Sequence, residues 1–181
     1  MIGLPFEVVV SRFQEPSHSE RLVEPIAFAE ELAIEKGREV FERLGAKKMV
    51  LSADTIGILD DLVLEKPKDK DDARRMLRLM SGRKHVVVSS VALFVPGEVE
   101  PTTRSVRTEV VFKVISAAEL EWYLDAEEYI DKSAAYAIQG KASLFIDSFY
   151  GDYFNVMGLP IRAVVEMMKK WLLFDNLDRG V

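Results

Sequence analysis

The most constraining stretch of this chain is "HVVVSSVALFVPGEVEPTTRSVRTEVVFKV", residues 85–114. Two long runs rich in valine and threonine flank Pro96-Gly97, a pair that breaks regular structure and marks a turn. That pattern predicts two long antiparallel strands joined by one connection. A hairpin of this size needs helices or further strands to cover its apolar faces, so the segments around it must supply them.

They do so in alternation. Phe6–Val10 is a short β-branched run and reads as a strand. Pro25 suits the first position of a helix that runs to about Leu44, with Gly45 as its left-handed stop. Residues 48–53 read as a strand that ends at Asp54, and "IGILDDLVLEK" follows as a hairpin turning at Asp60-Asp61. Asp69 is an N-cap candidate for a helix that Gly82 terminates. Ser116 with Glu119 forms a capping box opening a helix through about Leu124. "AYAIQG" and "SLFIDSFYG" look strand-like. Pro160 starts a last helix with Val164, Val165, Met168 and Leu172 on one face. The expectation is an α/β fold: a mixed, twisted sheet with helices packed on it and one long antiparallel hairpin.

Composition narrows the function. With 181 residues the chain suits one domain, and a net charge of −6 argues against a broad nucleic-acid-binding face. No cysteine is present, which excludes disulfides and thiolate metal sites and fits a cytoplasmic location. No run is long and apolar enough for a membrane span, and the N-terminus does not read as a signal peptide. Two histidines are too few for a histidine-rich zinc site, and no Walker-type or dinucleotide-binding glycine motif occurs.

The informative residues are polar groups in apolar settings. Asp54 closes an apolar run, where a buried carboxylate is costly unless something pairs with it. Lys36 interrupts the i, i+4 row of Phe28, Leu32, Val40 and Leu44. Two readings follow: a lysine snorkelling to water along its apolar stem, or one aimed into a cleft to meet a phosphate. Lys66, held extended by Pro67, projects where α/β ligand sites tend to lie, although an ordinary solvated lysine reads the same way. Glu15 sits before Pro16 in a polar loop. Arg74, Arg75 and Arg78 read as a solvated face, His85 as structural, and at least one of Trp122 and Tyr123 as core. "KASLFIDSFYGDYFNVMGLP" mixes Asp147, Asp152 and Asn155 with aromatics, as either a loop under a ligand or a structural crossover. Carboxylates with lysines suit a hard cation such as Mg2+ together with a polyphosphate.

Taken in order, "GLPFEVV" (3–9), Glu15, Lys36, "SADT" (52–55), "EKP" (65–67) and "LMSGRKHVV" (79–87) resemble the Maf family of nucleoside triphosphate pyrophosphatases. "TEVVF" (108–112), "DKSAAYAIQG" (131–140) and "GDYFNVMGLP" (151–160) extend the resemblance to about residue 172. It implies two lobes around a central cleft, in a single Maf-like domain over 1–181. It also implies hydrolysis of a nucleoside triphosphate to the monophosphate and pyrophosphate. Asp54 would activate water, Glu15 would share a divalent cation (Mg2+ or Mn2+) with Asp54, and Lys36 and Lys66 would neutralise phosphates. Thr55 with Gln139 resembles the dTTP/UTP-preferring branch, with CTP or modified pyrimidine nucleotides as further substrates. A homodimer is implied as well. The family's S-x-S-P-R-R motif, expected ahead of "GLPFEV", is not in this sequence, so the strand and phosphate-binding loop it brings are expected to be missing. "SAAY" replaces the commoner "AGAY", and Ser89 stands where threonine is commoner. The competing expectations are a nucleotide-binding regulator of cell division with little turnover, and a pyrophosphatase acting on 7-methyl-GTP or other purine nucleotides.

Overall fold

The structure, a computed structural model, describes residues 3–21 and 23–171. Its centre is the long hairpin, formed by β3 (Lys84–Phe94) and β4 (Thr102–Phe112), paired from Leu93↔Thr102 to Lys84↔Val111. On one side of β3 lies β1 (Val50–Leu59), which turns through Asp60-Asp61 into the short β2 (Leu62–Leu64). On the far side of β4 lies β5 (Ile146–Tyr150). The order is β2-β1-β3-β4-β5, and every ladder is antiparallel. The sheet is therefore antiparallel rather than mixed among the described residues, because each neighbour in space runs the opposite way.

The helices are α1 (His18–Arg21), α2 (Pro25–Arg43), α3 (Lys70–Met80), α4 (Ala117–Leu124), α5 (Tyr153–Val156) and α6 (Ile161–Met168). Their ends follow local chemistry. The Asp69 side chain accepts from Asp72 N to open α3, and Ser116 with Glu119 makes the reciprocal cap of α4. Gly45 adopts a left-handed φ of 70° just past α2.

The period of β3 explains the two-sided packing, since alternate residues face opposite ways. Val88 packs with Phe28, Ala29 and Leu32 of α2, and Ala92 and Phe94 pack with Ala33 of the same helix. On the other face, Val87 and Val110 join a core with Ala73, Met76, Leu77, Leu120, Tyr123 and Phe145. Farther along that face, Val91 and Leu93 meet Val164 and Met167 of α6. Tyr123 is thus the core member of its pair, while Trp122 is exposed under Lys141.

Four expectations need correction. Phe6–Val10 forms no ladder; it is extended chain with Phe6, Val8 and Val10 exposed, because no partner strand lies beside it among the described residues. "AYAIQG" is irregular, and residues 141–145 form a 3-10 turn, so only Ile146–Tyr150 is strand. The buried face of α6 is Ala163, Val164 and Met167, with Val165 and Met168 half-buried, and Leu172 lies outside the described residues. Asp54 does not end its strand: it sits mid-β1, opposite Ser90, because pairing to β3 carries the strand on to Ile58 and pairing to β2 includes Leu59.

Candidate active site

The reach of β2 sets the location of the site. It pairs only with Gly57–Leu59, which leaves the Val50–Ile56 part of β1 along the sheet's edge. A cavity of about 370 Å3 opens there. Asp54 and Ile56 point to the α2 face and Thr55 and Gly57 to the other, yet all four line it. A ligand lying across this edge meets both faces of the sheet at once.

Helix α2 brings Lys36 to the cavity by a close approach to the sheet. At the next position, a Cβ on Gly37 would fall well inside contact with Ser52 and Phe94, and Ser52 Oγ donates to the Ala33 carbonyl at 2.6 Å. Lys36 Nζ then lies 2.5 Å from Asp54 Oδ1 and 3.0 Å from Glu15 Oε1. Lys66 Nζ lies 3.7 Å from the same Glu15 oxygen. Of the two readings of Lys36, the structure favours the cleft, since only 19% of its side chain is exposed. Glu15 is held because its segment is tied to α2: Arg12 N donates to Glu39 Oε2 and Arg43 donates to the Val10 carbonyl. Beyond Glu15, His18 N donates to Glu65 Oε1.

Burial and pairing oppose each other in this cluster. Burial raises the Asp54 carboxyl above the ordinary aspartate range, and the Lys36 ammonium offsets that only in part. Burial pushes Lys36 down, but the carboxylates of Asp54 and Glu15 outweigh it, so the net shift is upward. A carboxylate that is buried, short of compensation and open to a cavity is well placed to accept a proton.

The opposite wall comes from residues 131–139. Asp131, Ala134 and Ala135 adopt left-handed φ of 60°, 56° and 62°, which disfavours residues other than glycine. The turn is held by Ala134 N donating to the Glu65 carbonyl and Ser133 Oγ donating to that of Leu64. Gly57 makes room for it, because a Cβ there would lie 2.7 Å from the Ala134 Cβ. Gln139 is exposed and lines the cavity, as do Met157 and Gly158. Tyr136 backs the cavity, and its hydroxyl is 2.7 Å from Nε2 of buried His85. Burial lowers the His85 pKa to about 4, so the ring is neutral and structural.

All six residues singled out by sequence converge here. Asp54, Thr55, Lys36, Lys66 and Gln139 line the cavity, and Glu15 reaches it through the two lysines. Sequence reasoning placed Asn155 in a segment read as a loop under a ligand or a structural crossover, but it missed the polar layer that Asn155 makes with Ser89 and Thr108 beneath Thr55, and the wall residues Asp131 and Lys132. The "DKSAAY" motif carried the only signal for the latter pair. Arg74 and Arg75 lie on α3, paired with Glu121 and Asp72.

The fold is α/β with an antiparallel sheet, whose open edge joins a carboxylate–lysine cluster to a cavity, a residue chemistry that suits an anionic ligand with a cation. The sequence profile of the family described as "Maf-like protein" matches residues 1–171, and the chain belongs to that family. It is 38% identical over 184 residues to the dTTP/UTP pyrophosphatase of Syntrophus aciditrophicus (strain SB), covering 99% of this chain and 88% of the relative. It is 40% identical over 170 residues to that of Symbiobacterium thermophilum, covering 94% and 85%. It is 41% identical over 160 residues to that of Alkaliphilus oremlandii (strain OhILAs), covering 88% and 82%.

Proposed function

We propose that this protein hydrolyses dTTP and UTP to the monophosphate and pyrophosphate, with CTP or modified pyrimidine nucleotides as further substrates. The observation that carries the reading is the buried Asp54 carboxylate, in contact with Lys36 and facing a cavity that Lys66, Thr55 and Gln139 also line. The names of the relatives supply the substrate class.

In this reading the triphosphate lies against Lys36 and Lys66, whose charges offset those of its oxygens. Asp54 takes a proton from water as the water oxygen attacks a phosphorus of the α–β anhydride. The bridging P–O bond breaks, and its electron pair leaves with one of the two products. Raised by burial, the Asp54 carboxyl is a stronger base than an exposed aspartate. Thr55 and Gln139 face the nucleoside, and Gln139 can present donor and acceptor together to a pyrimidine edge.

Asp54 and Glu15 would hold a divalent cation, Mg2+ or Mn2+. The support is that both carboxylates touch one ammonium and so converge on a single cationic position; among the described residues no third acidic, histidine or cysteine ligand joins them. A cation held by two carboxylates keeps positions for phosphate oxygens and water. When bound it offsets charge on the phosphates. Neither a nucleic acid nor a membrane partner belongs to this reading, and no helix among the described residues is long and apolar enough to cross a membrane. A homodimer in the cytoplasm completes the proposal. Incubation with dTTP, UTP, CTP and 7-methyl-GTP, with released pyrophosphate measured, tests it. Turnover of the pyrimidine nucleotides is expected, and exclusive turnover of 7-methyl-GTP, or none at all, would overturn it.

A further inference from the structure

The cavity wall holds one hydroxyl whose hydrogen-bond polarity is fixed from behind. Thr55 Oγ1 lies 2.7 Å from Ser89 Oγ. Ser89 has a single hydroxyl hydrogen, and its Oγ is 2.8 Å from the main-chain carbonyl of Asn155. A carbonyl can only accept, so Ser89 donates there. Its oxygen can then only accept from Thr55, and Thr55 must donate to it. The other polar neighbour of Thr55, the Gly158 carbonyl at 3.5 Å, sits at the outer limit of hydrogen-bond length and does not compete. With its one hydrogen committed to Ser89, Thr55 turns only lone pairs toward the cavity.

The layer behind keeps Ser89 from turning round. Asn155 is fully buried. Its Oδ1 accepts from Ser89 N at 3.0 Å, and its Nδ2 donates to the Val87 carbonyl at 3.0 Å and to Thr108 Oγ1 at 2.9 Å. Thr108 Oγ1 donates to the Asp152 carbonyl and accepts from Asp152 N. The chain of hydroxyls and amide is thus anchored on main-chain groups throughout, and reversing any member would leave a buried group unpaired.

We infer that Ser89 and Asn155 are positioning residues that make Thr55 a pure acceptor, and that Thr55 takes a hydrogen bond from a donor on the nucleoside. This rests on the nucleotide-hydrolysis reading above. Two nucleoside groups have the required chemistry: the imide N3–H of uracil and thymine, and the 3′-hydroxyl of the sugar. A substrate offering a lone pair or nothing at that point leaves Thr55 unpaired, which is how a polar site rejects an analogue.

The test measures kcat and KM for UTP, CTP and 3′-deoxy-UTP in the parent protein and in Ser89→Ala, Ser89→Thr and Thr55→Val. Cytosine carries a lone pair at N3 where uracil carries a hydrogen, so the two analogues separate the sources. The parent is expected to disfavour one of them by roughly tenfold or more in kcat/KM. Ser89→Ala frees the Thr55 hydrogen and should erase that preference, mainly through KM, whereas Ser89→Thr should keep it. Thr55→Val should erase it too, and the double variant should lose nothing further, which keeps the test decisive if Ser89→Ala folds poorly. Lost preference against CTP assigns the base N–H; lost preference against 3′-deoxy-UTP assigns the sugar hydroxyl. An equal change for all three nucleotides in Ser89→Ala, or no preference in the parent, overturns the inference while UTP turnover leaves the hydrolysis reading standing. A parent inert toward every nucleotide defeats both.

Discussion

Lys36→Met removes one charge from the centre of the cluster and keeps most of the apolar stem that α2 packs against the sheet. Asp54, 9% exposed, then loses the ammonium at 2.5 Å, and the Asp54 and Glu15 carboxylates lose the cation between them. Deleting one partner of a buried pair costs about 3–5 kcal/mol. Asp54 can limit that cost by taking up a proton. Holding a carboxyl of ordinary pKa protonated at pH 7 costs about 4 kcal/mol, at about 1.36 kcal/mol per pH unit. The expected loss of stability is therefore about 3–4 kcal/mol at pH 7. The sign of its pH dependence follows from linkage. In the variant the folded-state pKa of Asp54 rises further above its unfolded value, so the native state binds a proton that the unfolded chain releases. Stability relative to the parent is then regained as pH falls, and the deficit shrinks to about 1.5 kcal/mol at pH 5. Urea unfolding of both proteins at the two pH values measures this, and groups common to both cancel in the difference. A deficit unchanged between pH 7 and pH 5, or a variant as stable as the parent at pH 7, would refute the reasoning.

Two further predictions concern the walls of the site. Gly57→Ala places a methyl 2.7 Å from the Ala134 Cβ, which should cost about 1–3 kcal/mol and lower Tm by about 3–8 °C in calorimetry. Adding Ala134→Gly removes the opposing methyl and the left-handed alanine together, and should restore most of that loss. His85 has its pKa lowered by burial from 6.5 to about 4. Between those values the unfolded chain binds a proton that the native state does not, so stability falls as pH drops through that window, by about 3 kcal/mol in total. Denaturant titrations should show that slope in the parent and its loss in His85→Phe, where nothing titrates.

The elements legible in the sequence were those specified by neighbours in the chain. Pro25, Gly45, Asp69 and the Ser116–Glu119 box fixed helix ends because a cap needs only residues three or four apart. Strands depend on distant partners, and there local reading failed in both directions. Phe6–Val10 has strand composition but no ladder, and Asp54 looked like a strand end but is carried through by its pairing with Ser90. The charged members of the site stood out because a carboxylate or ammonium in an apolar row is costly and so conspicuous. The layer of Ser89, Thr108 and Asn155 did not stand out: Asn155 was conspicuous among its aromatics, but its partners are ordinary polar residues and Ser89 meets it across 66 positions of chain. The left-handed turn at Ala134 left one trace, the glycine of the commoner "AGAY" at that position, but an alanine by itself carries no mark of its backbone conformation.

The central claim is that Asp54 carries out the chemistry rather than only holding Lys36 in place, and Asp54→Asn tests it most directly. Pyrophosphate release from UTP and dTTP is measured beside nucleotide binding by calorimetry, in the parent and in the variant. The account predicts turnover reduced by about 100-fold or more, the scale of a lost general base, with binding kept within several-fold. Turnover by Asp54→Asn equal to that of the parent would contradict it.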